Sequence, residues 1–113
     1  MPNFSERSKT LSIELTKFKS VTNTEGETNF APYFKSVLSS WDYFKENPDH
    51  VWTEKTLDDA FERYSLYAFV KGTSDKTIIL TGHYDTVSTN NYGTLEPLAC
   101  SPDELLTELI NDL

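Results

Sequence analysis

The stretch "TIILTGHYDTVS", residues 77–88, carries apolar and β-branched residues into a glycine, then sets a histidine and an aspartate two positions apart. Apolar side chains on successive positions predict a strand over residues 77–82 that is covered on both faces. The run "YSLYAFV", residues 64–70, predicts another strand, and "KGTSDK" between them, with Gly72 free to take positive φ, predicts the turn of a hairpin. His83 and Asp85 then lie just past the C-terminal end of a strand, the edge at which open α/β sheets bind ligands. Side chains two apart in an extended chain project to one side. The imidazole and the carboxylate therefore converge. Two readings stay open on spacing alone: a metal-ligating histidine whose second ring nitrogen is held by a carboxylate, or a capping or surface pair.

The rest of the chain supplies a frame for that pair. Ser5–Lys19 reads as a helix capped by Ser5, with Leu11, Leu15 and Phe18 at helical spacing. "SVTNTEGETN" reads as a loop broken at Gly26, with Thr28 or Asn29 capping the next helix. That helix, at about residues 30–46, carries Phe30, Tyr33, Phe34, Val37, Leu38, Trp41 and Phe44 on one stripe. Pro32 falls in its expected first turn, where a missing N–H costs nothing. The stripe reads as core rather than a ligand groove, so Trp41 is expected to be substantially buried. "HVWTEKT" reads as a short strand and "LDDAFER" as a loop or helical turn. "STNNYGTLEPLAC" reads as irregular. "SPDELLTELI" opens a helix, with Ser101, Pro102 and Glu104 in the pattern of a capping box.

Bulk properties limit the function classes. At 113 residues, with 37% hydrophobic and 25% charged residues, the chain has a globular rather than a disordered composition. A net charge of −8 argues against a nucleic-acid partner. No Lys or Arg follows Lys76, whereas Asp85, Glu96, Asp103, Glu104, Glu108 and Asp112 do. This acidic end suits either a solvated face or the surroundings of a cation. No apolar run reaches the ~20 residues of a membrane helix. "MPNFSERSKTLSIEL" contains no apolar segment of signal-peptide length, and Cys100 is the sole cysteine. A cytoplasmic location without disulfides is expected. Cys100 reads as a small apolar filler and His50 as a loop or strand-edge residue.

The string "TIILTGHYDTV" closely resembles the first metal-binding motif of the zinc aminoacylase and carboxypeptidase family, whose members include acetylornithine deacetylase, succinyl-diaminopimelate desuccinylase and aminoacylases. "SVTNTEGET" is similar to the loop after that family's first helix. "RYSLYAFVKG" is similar to the strand before the motif, with Ser65 where an Asn is usual. "YGTLEPLACSPDELLTEL" is similar to the family's arginine-utilisation, RocB-like branch. The resemblance covers essentially the whole chain. It implies an α/β fold: part of the catalytic domain of a two-zinc metallohydrolase, with a mixed sheet and flanking helices. Residues 1–113 would form the N-terminal part of that single, incomplete domain. His83 would be a ligand of one of two zinc ions. Asp85 would bind no metal but orient His83, and Gly82 would let the backbone approach the ion. The substrate would be an N-acyl amino acid or a small peptide, cleaved at an amide bond.

The family's bridging Asp, its Glu pair with the general base, and its further Asp and His ligands follow this motif, and this sequence holds no match to them. The chain alone is therefore expected to be inactive. The alternative expectation is a small acidic interaction module that keeps the fold without the catalysis. As part of a catalytic domain the chain would leave a sheet edge and an apolar face uncovered, which predicts self-association through residues 77–82.

Overall fold

The computed structural model describes residues 3–113. In chain order they form α1 (Phe4–Lys17), α2 (Glu25–Ser39), α3 (Asp42–Glu46), β1 (Val51–Lys55), β2 (Tyr64–Ala68) and α4 (Pro102–Asn111), with 3-10 segments at Pro48–His50 and Asn90–Leu98. The architecture is mixed: helices around a two-stranded antiparallel sheet, with Val51 opposite Ala68 and Lys55 opposite Tyr64. Trp52 stacks on its cross-strand partner Tyr67 at 5.2 Å between ring centroids.

Helix α1 begins one residue before its expected cap. The carboxamide of Asn3, rather than the Ser5 hydroxyl, accepts from the N–H groups of Ser5 and Glu6, at 3.1 and 3.3 Å. Helix α2 begins at Glu25, not near residue 30; Thr24 is its N-cap residue, but the Thr24 hydroxyl donates to the Val21 carbonyl at 2.6 Å and makes no cap bond to the helix. The Glu27 carboxylate reaches back to accept the Asn23 N–H at 2.6 Å. Gly26, expected to break the chain, lies inside that first turn, and a Cβ there would stand 1.9 Å from the Lys19 carbonyl oxygen. Pro32 consequently sits in the interior of α2 and denies the Thr28 carbonyl its helical donor.

The long second helix is in fact two. Ser40 turns its hydroxyl back to the Val37 carbonyl at 2.6 Å, competing with the backbone ladder. Trp41 is then extended, at φ −80° and ψ 144°, before α3 starts. The aromatic stripe survives this break. Leu38, Phe44 and Val51 form a buried cluster, with Phe34, Trp41, Tyr43 and Leu66 packed against it. Trp41 is only partly buried. Phe30 and Ala31 are buried further up the same face of α2.

The hairpin expected from residues 64–82 is absent. Strand β2 ends at Ala68 and pairs with β1 instead, while residues 77–82 form no strand. Ile78, Ile79 and Leu80 are 88%, 83% and 92% exposed rather than covered on both faces. Such a run holds a strand only when neighbouring backbones satisfy its N–H and C=O groups. Among the described residues none does so. The radius of gyration is 17.0 Å, against about 13 Å for a compact domain of this length. Helix α4 starts after Ser101 as expected, but the Ser101 hydroxyl makes no cap bond to it. Its ψ of 82° departs from the extended backbone that side-chain caps use.

Gly26 yields a direct test of the close approach between Lys19 and α2. Gly26→Ala drives a methyl group into a backbone oxygen, which cannot swing aside as a side chain would. We expect a loss of about 1–3 kcal/mol, read by denaturant unfolding. A variant as stable as the parent would show that α2 does not press on Lys19.

Candidate functional site

His83 and Asp85 do come together, although on a loop and not on a strand end. His83 Nδ1 lies 3.0 Å from Asp85 Oδ1 and 3.1 Å from the Asp85 carbonyl oxygen. Both are acceptors, so Nδ1 is the donor, and in the neutral tautomer that matches this geometry Nε2 is the bare nitrogen. The imidazole is 86% exposed and the carboxylate 39%. The Thr22 hydroxyl donates to Asp85 Oδ2 at 3.0 Å. That hydroxyl first, and His83 second, hold the Asp85 carboxyl below the usual carboxylate range.

Residues that the motif alone does not reveal hold this loop in place. Residues 20–22 run parallel to residues 84–86 through a bridge between Val21 and Thr86. Thr86 N–H donates to the Ser20 carbonyl at 3.0 Å, and Thr22 N–H donates to the Thr86 carbonyl at 2.9 Å. The buried Ser20 hydroxyl donates to the Tyr84 carbonyl at 2.6 Å. Tyr84, between the two site residues, points into the fold. Its ring stacks on Phe30 at 4.9 Å, and its hydroxyl donates to the Tyr64 carbonyl at 2.7 Å. Burial, followed by the charge of Glu27, pushes the Tyr84 phenol up from its ordinary value. The segment therefore alternates outward His83, inward Tyr84 and outward Asp85, as an extended chain must.

A cleft of about 620 Å³ opens beside Gly82 and His83, walled by Phe30, Phe34, Tyr64 and Leu66. Arg63 lines it too, but its charge is engaged. Its Nε and Nη2 meet Asp59 at 2.9 and 2.7 Å, and its Nη1 meets Glu27 at 3.5 Å. The "TEGE" signature at residues 24–27 was the available sign that Glu27 has a structural task. Nothing local signals that Ser20 and Thr22 meet residues 84–86.

His50 and Cys100, the other histidine and the sole cysteine, have other neighbours than His83. The Tyr43 hydroxyl lies 2.9 Å from His50 Nδ1, and His50 packs edge-on to Phe69. Cys100 lines a separate cavity with Leu15 and Phe18. Among the described residues no three or more His, Cys, Asp or Glu side chains are grouped to hold a metal. A zinc site takes three or four ligands, so His83 alone does not fit one.

The likeness in sequence is clear where the geometry is incomplete. Over 105 residues, 91% of the chain, it is 37% identical to Protein RocB of Bacillus subtilis (strain 168). Its sequence is RocB-like. It is also 36% identical over 101 residues to the uncharacterized protein YqjN of the same organism. The matches cover 19% of RocB and 18% of YqjN, so the chain spans about a fifth of the length of these curated relatives. No protein-family model matches it, and no solved structure does. Within this RocB-like segment, no described helix is long and apolar enough to cross a membrane.

The Asp59–Arg63 pair predicts a pH dependence. Three donors from Arg63, the backbone N–H included, hold the Asp59 carboxyl well below its ordinary value of 3.8. A group depressed on folding stabilises the fold fully above its unfolded pKa, and that contribution is lost as pH falls below it. Asp59→Asn should therefore flatten the fall in stability below about pH 4 while leaving its shape near neutrality unchanged. Urea midpoints taken across that range check this, and identical acid slopes would contradict it.

Proposed function

We propose that this RocB-like segment belongs to a zinc-dependent amidohydrolase or peptidase that cleaves an amide bond in an N-acyl amino acid or small peptide. Here it supplies one ligand, His83, and the carboxylate that orients it, Asp85. The observation that carries this reading is His83 Nδ1 held 3.0 Å from the Asp85 carboxylate, on an imidazole that is 86% exposed and lines an open cleft. A metal-ligating histidine is commonly held in this way, its other ring nitrogen donating to a carboxylate. The 113-residue chain alone would be inactive, since two-metal hydrolysis needs ligands for both ions and the described residues group no such set. The protein would work in the cytoplasm.

A chimera tests the reading. This segment replaces the corresponding residues of Bacillus subtilis RocB, and zinc per chain is measured after dialysis, together with release of amino acid from N-acyl amino acids. His83→Ala should lower the zinc count. Asp85→Asn keeps the side chain's shape and should weaken zinc binding by roughly 10–100-fold without abolishing it. Zinc that is unaffected by His83→Ala would remove His83 as a ligand.

A second observation bears on the alternative, a small acidic interaction module: Val70, Ile78, Ile79 and Leu80 all lie exposed. Such a surface seeks a cover, and we propose that it drives self-association. Size-exclusion with light scattering should show species larger than a monomer at high concentration, reverting to monomer on Ile79→Lys. A strict monomer at millimolar concentration would show that this surface needs no cover and would favour the module over a piece of a larger catalytic domain.

A further inference from the structure

We propose that Thr22 is a positioning residue for His83, acting through Asp85 to select the imidazole tautomer. The Asp85 side chain is exposed enough to choose among rotamers, and the one it adopts presents Oδ1 to His83 Nδ1. Thr22 is the side chain that holds the other oxygen, at 3.0 Å. It is well placed to do so, because its own backbone is pinned. Its N–H donates to the Thr86 carbonyl, and Val21 beside it bridges to Thr86. The hydroxyl has one proton and two acceptors in reach, Asp85 Oδ2 and the Thr86 carbonyl at 2.9 Å. The Thr86 carbonyl already takes the Thr22 N–H, so the hydroxyl is worth more at the carboxylate. With Oδ2 held, Oδ1 stays against Nδ1, the ring proton stays on Nδ1, and Nε2 faces outward bare. This role is independent of what Nε2 then binds, so it stands or falls separately from the zinc reading.

The experiment is metal-free. Long-range proton–nitrogen NMR spectra of the full chain at about pH 9, where imidazoles are neutral, report the ratio of Nδ1–H to Nε2–H forms of His83. The parent should favour Nδ1–H. Thr22→Val should cut the ratio about three- to tenfold, the effect of one net hydrogen bond. Thr22→Ser, which keeps the hydroxyl, should restore it. Ser20→Ala removes the neighbouring bond to the Tyr84 carbonyl without touching Asp85, and should lower the melting temperature while leaving the ratio as in the parent. Should Thr22→Val fail to fold, Thr22→Ala serves in its place, the dispersed Tyr84 and Phe30 ring signals showing that the fold is kept. An unchanged ratio in the folded variant would overturn the proposal: the Asp85 carbonyl would then suffice to hold the Nδ1 proton. An equal change in Ser20→Ala would also overturn it, showing only general loosening of the loop.

Discussion

The packing of Phe30 against Tyr84 is the contact on which the site depends. Tyr84 is the one residue of the 83–85 triplet that enters the fold. It does so against an α2 residue that is itself held by Phe18 and Tyr33, at ring distances of 5.5 and 6.1 Å. Because side chains alternate in an extended segment, seating Tyr84 inward turns His83 and Asp85 outward together. The parallel contact with residues 20–22 then fixes the height of that segment. Thus the first helix connection, far away in sequence, sets the position of the histidine. Glu27 acts at the root of this arrangement. It is buried, accepts from Asn23, whose φ is 63°, and faces Arg63 across the cleft.

A second constraint is what the fold leaves uncovered. The helical aromatic stripe finds its cover in β1 and β2, and the resulting core is modest: among the described residues five hydrophobic ones are buried. The run at 77–82 finds none. Its apolar character is a strand's, but the hydrogen-bond partners that make a strand are not local, and here β2 pairs with β1 instead. Helix α4 repeats the theme. Leu106, Leu109 and Ile110 are exposed on a helix whose charged residues are all acidic. A segment that is RocB-like over a fifth of its relatives' length, with two apolar elements uncovered, is consistent with a piece of a larger core.

Much was legible without a structure. Helices near both ends, the strand at 51–55, the strand beginning at Tyr64 and the His83–Asp85 pairing follow from local pattern, since helical spacing, β-branched runs and an i, i+2 pair are properties of adjacent residues. The start of α2 was also written locally, in Thr24 and Glu27, although Gly26 masks it by reading as a breaker. The break at Ser40–Trp41 was not, because a continuous apolar stripe conceals a serine that bonds back to its own helix.

Tertiary structure decided the rest. Which strand pairs with β2 depends on the chain's return path, a matter of loop closure and competing edges that no window of residues contains. That Ser20 and Thr22 fasten residues 84–86 depends on contacts more than sixty positions apart. The sequence by itself determined the chemistry on offer: an imidazole, a carboxylate two residues on, and an aromatic between them. The fold decided which way each one faces and which hydroxyl holds the carboxylate, because orientation is imposed by packing against surfaces contributed from elsewhere in the chain.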